Sequence, residues 1–97
     1  MRDVEKAQRS EITEYYIYRV LSAKAKRKNV RILEGIAKDE LKHYNMLKGI
    51  TGKEFSPDWI KVRLYSFLAE VLGLTFVLKF MERGENSALN LYGKIKD

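Results

Sequence analysis

The sequence predicts an all-α fold, a bundle of long amphipathic helices with a shorter connecting helix. Three observations carry the all-helical class. Apolar residues recur at spacings of three and four along most of the chain. Only one Pro and six Gly occur among 97 residues, beside abundant Leu, Lys, Glu and Ala. Acidic side chains interrupt the apolar seams at matched depths.

The first helix is expected from Asp3 to Lys26, with the seam Val4, Ala7, Glu11, Glu14, Tyr18, Leu21 and Ala25. Asp3 suits a cap, and Glu5 suits the first turn. After a short polar bend, Asn29 is the expected N-cap of a second helix over Val30 to Gly49. Its seam is Leu33, Ile36, Glu40, His43, Leu47 and Ile50. Gly49 and Gly52 mark its end, and Thr51 to Asp58 forms a loop holding the only Pro. Ser56 or Asp58 starts the next helix. The stretch from Trp59 to Lys96 is too long for one helix in so small a domain, and a break is expected near Gly73. Trp59 to Leu72 then forms the connecting helix, with the apolar face Ile60, Leu64, Phe67 and Leu68. The remainder has the seam Leu74, Leu78, Met81, Glu85, Ala88, Tyr92 and Ile95.

Composition narrows the function classes. Residues 1–97 form one small domain, and an apolar share of 45% is ordinary for a globular chain. The absence of Cys excludes a disulfide frame, an iron–sulfur site and a cysteine nucleophile, and agrees with a reducing compartment. The charged start lacks an apolar signal core, and the uncharged stretch Val71 to Leu78 is far short of the roughly 20 residues a membrane span needs. A cytoplasmic location is therefore expected. The net charge of +6 is concentrated at Lys24, Lys26, Arg27, Lys28 and Arg31. Cations collect at helix C-termini and in solvated turns, and no aromatics interleave with this run, so nucleic acid is not the expected partner.

The acids on the seams point to metal. Buried carboxylates cost several kcal/mol each unless they are paired or bound to a cation. Glu11 and Glu40 are 29 residues apart and straddle the bend at Lys24 to Lys28 symmetrically. In an antiparallel hairpin they should face each other, roughly 20 Å from the bend at 1.5 Å per residue. Glu-x6-Tyr occurs twice, as Glu11 with Tyr18 and as Glu85 with Tyr92. Seven residues is about two helical turns, so each Tyr shares the face of its Glu.

Iron and manganese take carboxylate oxygen and imidazole nitrogen, and zinc accepts the same set. Glu40 is placed to bridge two ions, Glu11 and Glu85 to cap them, and His43 to supply nitrogen. Tyr18 and Tyr92 can hydrogen-bond the ligand carboxylates from behind, with Glu14 and Glu82 as further carboxylates one turn away. Each feature alone is commonplace. Glu-x-x-His is a frequent pairing, and a seam Tyr is ordinarily core. The combination at one depth is what points to a site.

The residues Glu11-Ile-Thr-Glu14-Tyr-Tyr-Ile-Tyr18, Asp39-Glu40-Leu-Lys-His43-Tyr44 and Glu82-Arg-Gly-Glu85 through Leu91-Tyr92 resemble the rubrerythrin branch of the ferritin-like superfamily. Leu72-Gly-Leu-Thr-Phe-Val-Leu-Lys-Phe-Met-Glu-Arg-Gly-Glu85 further resembles the ferritin-like domains found beside vacuolar-type iron transporter segments. The resemblance implies a four-helix bundle binding two irons through Glu11, Glu40, His43 and Glu85, with Glu40 bridging. It implies oxidation of Fe(II) by dioxygen or reduction of peroxide.

The family's second Glu-x-x-His, on a fourth long helix, has no counterpart before Asp97. The domain is therefore expected to be incomplete at its C-terminal end, or to take the missing ligands from a second chain in a homodimer or larger homo-oligomer. No Cys-rich module accompanies it, so a catalytic site needs a separate electron donor. Two alternatives stand beside this reading, the first resting on the same ligands and the second on the basic run alone. One is a non-catalytic iron-binding or iron-sensing module acting with an iron transporter, and the other is a helical interaction domain.

Overall fold

The computed structural model describes residues 2–81. Glu82, Glu85 and Tyr92 lie outside the described residues. The described chain is helical apart from its connections, with α1 over Arg2–Lys24, α2 over Arg27–Thr51, α3 over Trp59–Leu72 and α4 over residues 74–81. The all-α class is as the spacing predicts. Among the described residues no helix is long and apolar enough to cross a membrane.

α1 and α2 form an antiparallel hairpin joined by a very tight connection, Ala25 and Lys26. That tightness moves the start of α2 ahead of the expected cap. Lys26 takes the N-cap position with an extended backbone and no side-chain cap. Its carbonyl accepts from the amides of Asn29 and Val30, so Asn29 lies inside the first turn. Likewise α1 begins at Arg2, which puts Asp3 and Glu5 within its first turn, where acids complement the helix dipole. α2 continues through Gly49 and stops at Gly52, whose φ of 69° is left-handed and whose amide bonds the Lys48 carbonyl.

The expected start and stop of α3 are found. The Asp58 carboxylate accepts from the Lys61 amide at 3.2 Å, and Gly73, at φ 96°, ends the helix.

All four helices feed one core. Ile17, Tyr18 and Leu21 come from α1, Leu33 and Ala37 from α2, Val62 and Ala69 from α3, and Val77 and Met81 from α4. α1 buries a wider face than its expected seam, adding Gln8, Ile12, Thr13 and Ile17. It does so because it packs against both α2 and α3, and a single stripe serves only one neighbour. In α2 the outer seam positions His43 and Ile50 are exposed, while Ala37 and Tyr44 are buried instead.

The face of α3 is the clearest departure from expectation. Ile60, Leu64 and Phe67 point to solvent, with Ile60 81% exposed, and only Leu68 is half-buried. The packed side carries Val62 and Ala69, whose small side chains allow a close approach to the rest of the core.

The connection from α2 to α3 is held by side chains that the seams did not single out. Gln8, with no exposed surface, donates to the Lys53 carbonyl at 2.6 Å and accepts from the Thr51 hydroxyl at 2.7 Å. The Thr13 hydroxyl accepts from the Asp58 amide at 3.0 Å and donates to the Arg9 carbonyl at 2.9 Å. The Tyr44 hydroxyl accepts from the Phe55 amide at 3.0 Å. The Arg9 guanidinium stacks 4.6 Å from the Phe55 ring centre.

Candidate metal centre

The hairpin brings Glu11 of α1 opposite Glu40 and His43 of α2. Each of the three offers one ligand atom, and these atoms lie within 4.8 Å of one another. Their register follows from the tight bend. Equal rise along two antiparallel helices leaves residues equidistant from the turn at one depth. Glu40 and His43, three apart, are neighbours on one helix face. The loop bonds flank this level, with Gln8 one turn before Glu11, Thr13 just after it, and Tyr44 next to His43.

Glu11 and Glu40 are half-buried, whereas the His43 side chain is 54% exposed. Glu11 Oε2 lies 3.6 Å from His43 Nδ1, beyond a hydrogen bond. Among the described residues, the buried oxygens Glu11 Oε2 and Glu40 Oε2 have no hydrogen-bond partner. Such acceptors are costly unless a proton or cation joins them. The Glu40 carboxyl responds accordingly. Burial first, and then the adjoining Glu11 and Glu14 carboxyls, push it up to about 10. Three carboxyl groups thus converge, with Glu14 acting on Glu40 after Glu11.

Tyr18, expected behind the ligand carboxylates, is buried in the core with Ile17 and Leu21. Tyr65 of α3 was not foreseen. Burial and the charge of Glu14 both raise its hydroxyl above the usual tyrosine range, which places it in the electrostatic neighbourhood of the cluster. The available signal was its position on the side of α3 away from the Ile60, Leu64 and Phe67 face. The expected ligand Glu85, together with Glu82 and Tyr92, lies outside the described residues.

The donors suit a hard or borderline divalent cation. Two ligands on opposite sides of one ion stand about 4 Å apart. The three donor atoms, all within 4.8 Å of one another, are near enough to be offered to one cation. The two orphaned oxygens are what a cation would satisfy, and exposed His43 leaves the site open to solvent.

No protein-family model, curated protein or solved structure matches the chain.

Proposed function

We propose that the chain is a ferritin-like dinuclear iron protein that oxidises Fe(II) with dioxygen or reduces peroxide. The observation that carries this proposal is the meeting of Glu11, Glu40 and His43 on facing helices, with two buried carboxylate oxygens left without donors. Glu11, Glu40 and His43 would hold the metal, with Glu85 as the further ligand that the resemblance implies. Bound iron supplies the redox chemistry. The chain's residues supply the rest. To serve as a ligand Glu40 would have to be deprotonated, so it would release the proton it holds in the metal-free protein. Exposed His43 leaves a path to water for that proton. Glu14 stays beside Glu40 as an adjoining carboxyl, within electrostatic reach of half-buried Tyr65.

In this proposal the remaining ligands come from a further helix or a second copy, and electrons from a separate donor. A second reading has its own support. The described ligand set is three residues, enough to hold one ion, which favours a non-catalytic iron-binding or iron-sensing module acting with an iron transporter.

An anaerobic Fe(II) titration followed by oxygen-uptake measurement separates them. About two irons per completed site with rapid oxygen consumption supports the dinuclear enzyme. One iron without consumption supports the binding module. No binding, or binding unchanged in Glu40→Gln, removes both.

A further inference from the structure

α3 is apolar on both sides, and only one side is used. Val62 and Ala69 pack into the core. Ile60, Leu64, Phe67 and Val71 lie opposite them, spaced four, three and four, within an arc of roughly 60° on a helix of 3.6 residues per turn. These four are half or more exposed, as are Trp59 and Leu72 at the two ends of the helix. Those four form one contiguous apolar face, whereas Trp59 and Leu72 lie roughly 110° round the helix on either side of it.

We infer that the occupant of this face is a second copy of the chain, docked with α3 antiparallel to its counterpart about a two-fold axis. Two features select this partner. The stripe reads the same in both directions. Ile60 then meets the partner's Val71, and Leu64 meets the partner's Phe67. Arg63 and Glu70 lie on one flank of the stripe, seven residues apart. In an antiparallel pair the same flank meets itself, so each Arg63 meets the partner's Glu70. Glu70 already pairs with Lys24, yet it remains well exposed and has a second oxygen to offer.

An anionic lipid surface is the main competitor, since Lys61, Arg63 and Lys79 are at hand. Glu70 at the rim has the wrong sign for such a surface and the right sign for a two-fold mate.

This contact does not depend on metal. Tyr65, which senses the Glu14 charge, is on the side of α3 away from the stripe, so each copy keeps its own carboxylate cluster. The test accordingly uses the metal-free 97-residue chain. Sedimentation equilibrium should show a reversible monomer–dimer exchange over about 1–100 µM. Phe67→Glu should weaken it by about tenfold or more, with helical circular dichroism unchanged. Arg63→Glu and Glu70→Arg should each weaken it, and the two together should restore it. A monomer throughout that range, a dimer indifferent to Phe67→Glu, or a double swap without rescue overturns the inference. So does a monomer that co-sediments with phosphatidylglycerol vesicles through Phe67.

Discussion

The α1–α2 hairpin and the outer side of α3 invert the usual distribution in opposite senses. One gathers carboxyl groups in a half-buried interior, and the other leaves Ile60, Leu64, Phe67 and Val71 in water. The two are resolved by different physics. Buried acids need a specific counter-charge within a few ångströms, and a proton or cation supplies it. An apolar face needs only area, and any apolar surface of the right size and shape can cover it. The hairpin therefore points to a small ligand, whereas α3 points to a macromolecular one.

The largest expected effect tests the hairpin half of this comparison. Glu40→Gln keeps the shape and removes a ligand charge. Divalent-metal affinity, followed by calorimetry, should fall by more than the roughly 10–100-fold that loss of an outer hydrogen-bond partner costs. The metal-free variant should at the same time melt higher than the parent near neutral pH, because a neutral amide folds without the proton uptake that Glu40 requires. A variant that melts lower would show that Glu40 is an ordinary structural acid.

Next in size is Gln8→Ala. Gln8 is fully buried and joins α1 to both Thr51 and Lys53. Its loss should cost about 1–3 kcal/mol in denaturant unfolding, from the two hydrogen bonds and the buried packing that Gln8 provides. This polar interior is satisfied by hydrogen bonds, unlike that of Glu11 and Glu40. Metal should thus stabilise the Gln8 variant as much as it does the parent.

The pH response is smaller, since Glu40 is only half-buried and water screens it. Glu40 ionises near its ordinary 4.5 in the unfolded chain and far higher in the folded one. Between these values the folded protein holds the extra proton. Metal-free stability should be greatest below about pH 4.5 as far as this group is concerned, and fall as pH rises towards 10. Glu40→Gln should flatten that slope in thermal melts taken from pH 5 to 9.

The smallest effect belongs to α3. Phe67→Ser should change the unfolding free energy of the isolated protomer by no more than about 0.5 kcal/mol, as for other exposed positions. A loss of several kcal/mol would mean that this face is covered within the protomer.

Much of this contrast was legible in the sequence. The facing of Glu11 and Glu40 follows from counting residues on either side of a bend, and the tight connection preserves that count. The stop at Gly73 and the Asp58 cap follow from local chemistry that needs no tertiary partner. The direction of α3 was not legible, because both its sides are apolar and periodicity cannot say which one meets the core. Gln8, Thr13 and Tyr44 were hidden for a related reason. Their role depends on a loop folding back across 45 residues in the first two cases and 11 in the third. Tyr65 was passed over because α3 was read by its apolar positions alone.

The α2–α3 connection has a consequence for local motion. Among Lys53 to Asp58 regular secondary structure is absent, yet the Phe55 and Asp58 amides are held by Tyr44 and Thr13 hydroxyls anchored in neighbouring helices. Hydrogen exchange should therefore read this stretch as scaffold. Those two amides should open only when the hairpin does, at a rate set by cooperative unfolding of α1 and α2 rather than by the fraying typical of a surface turn.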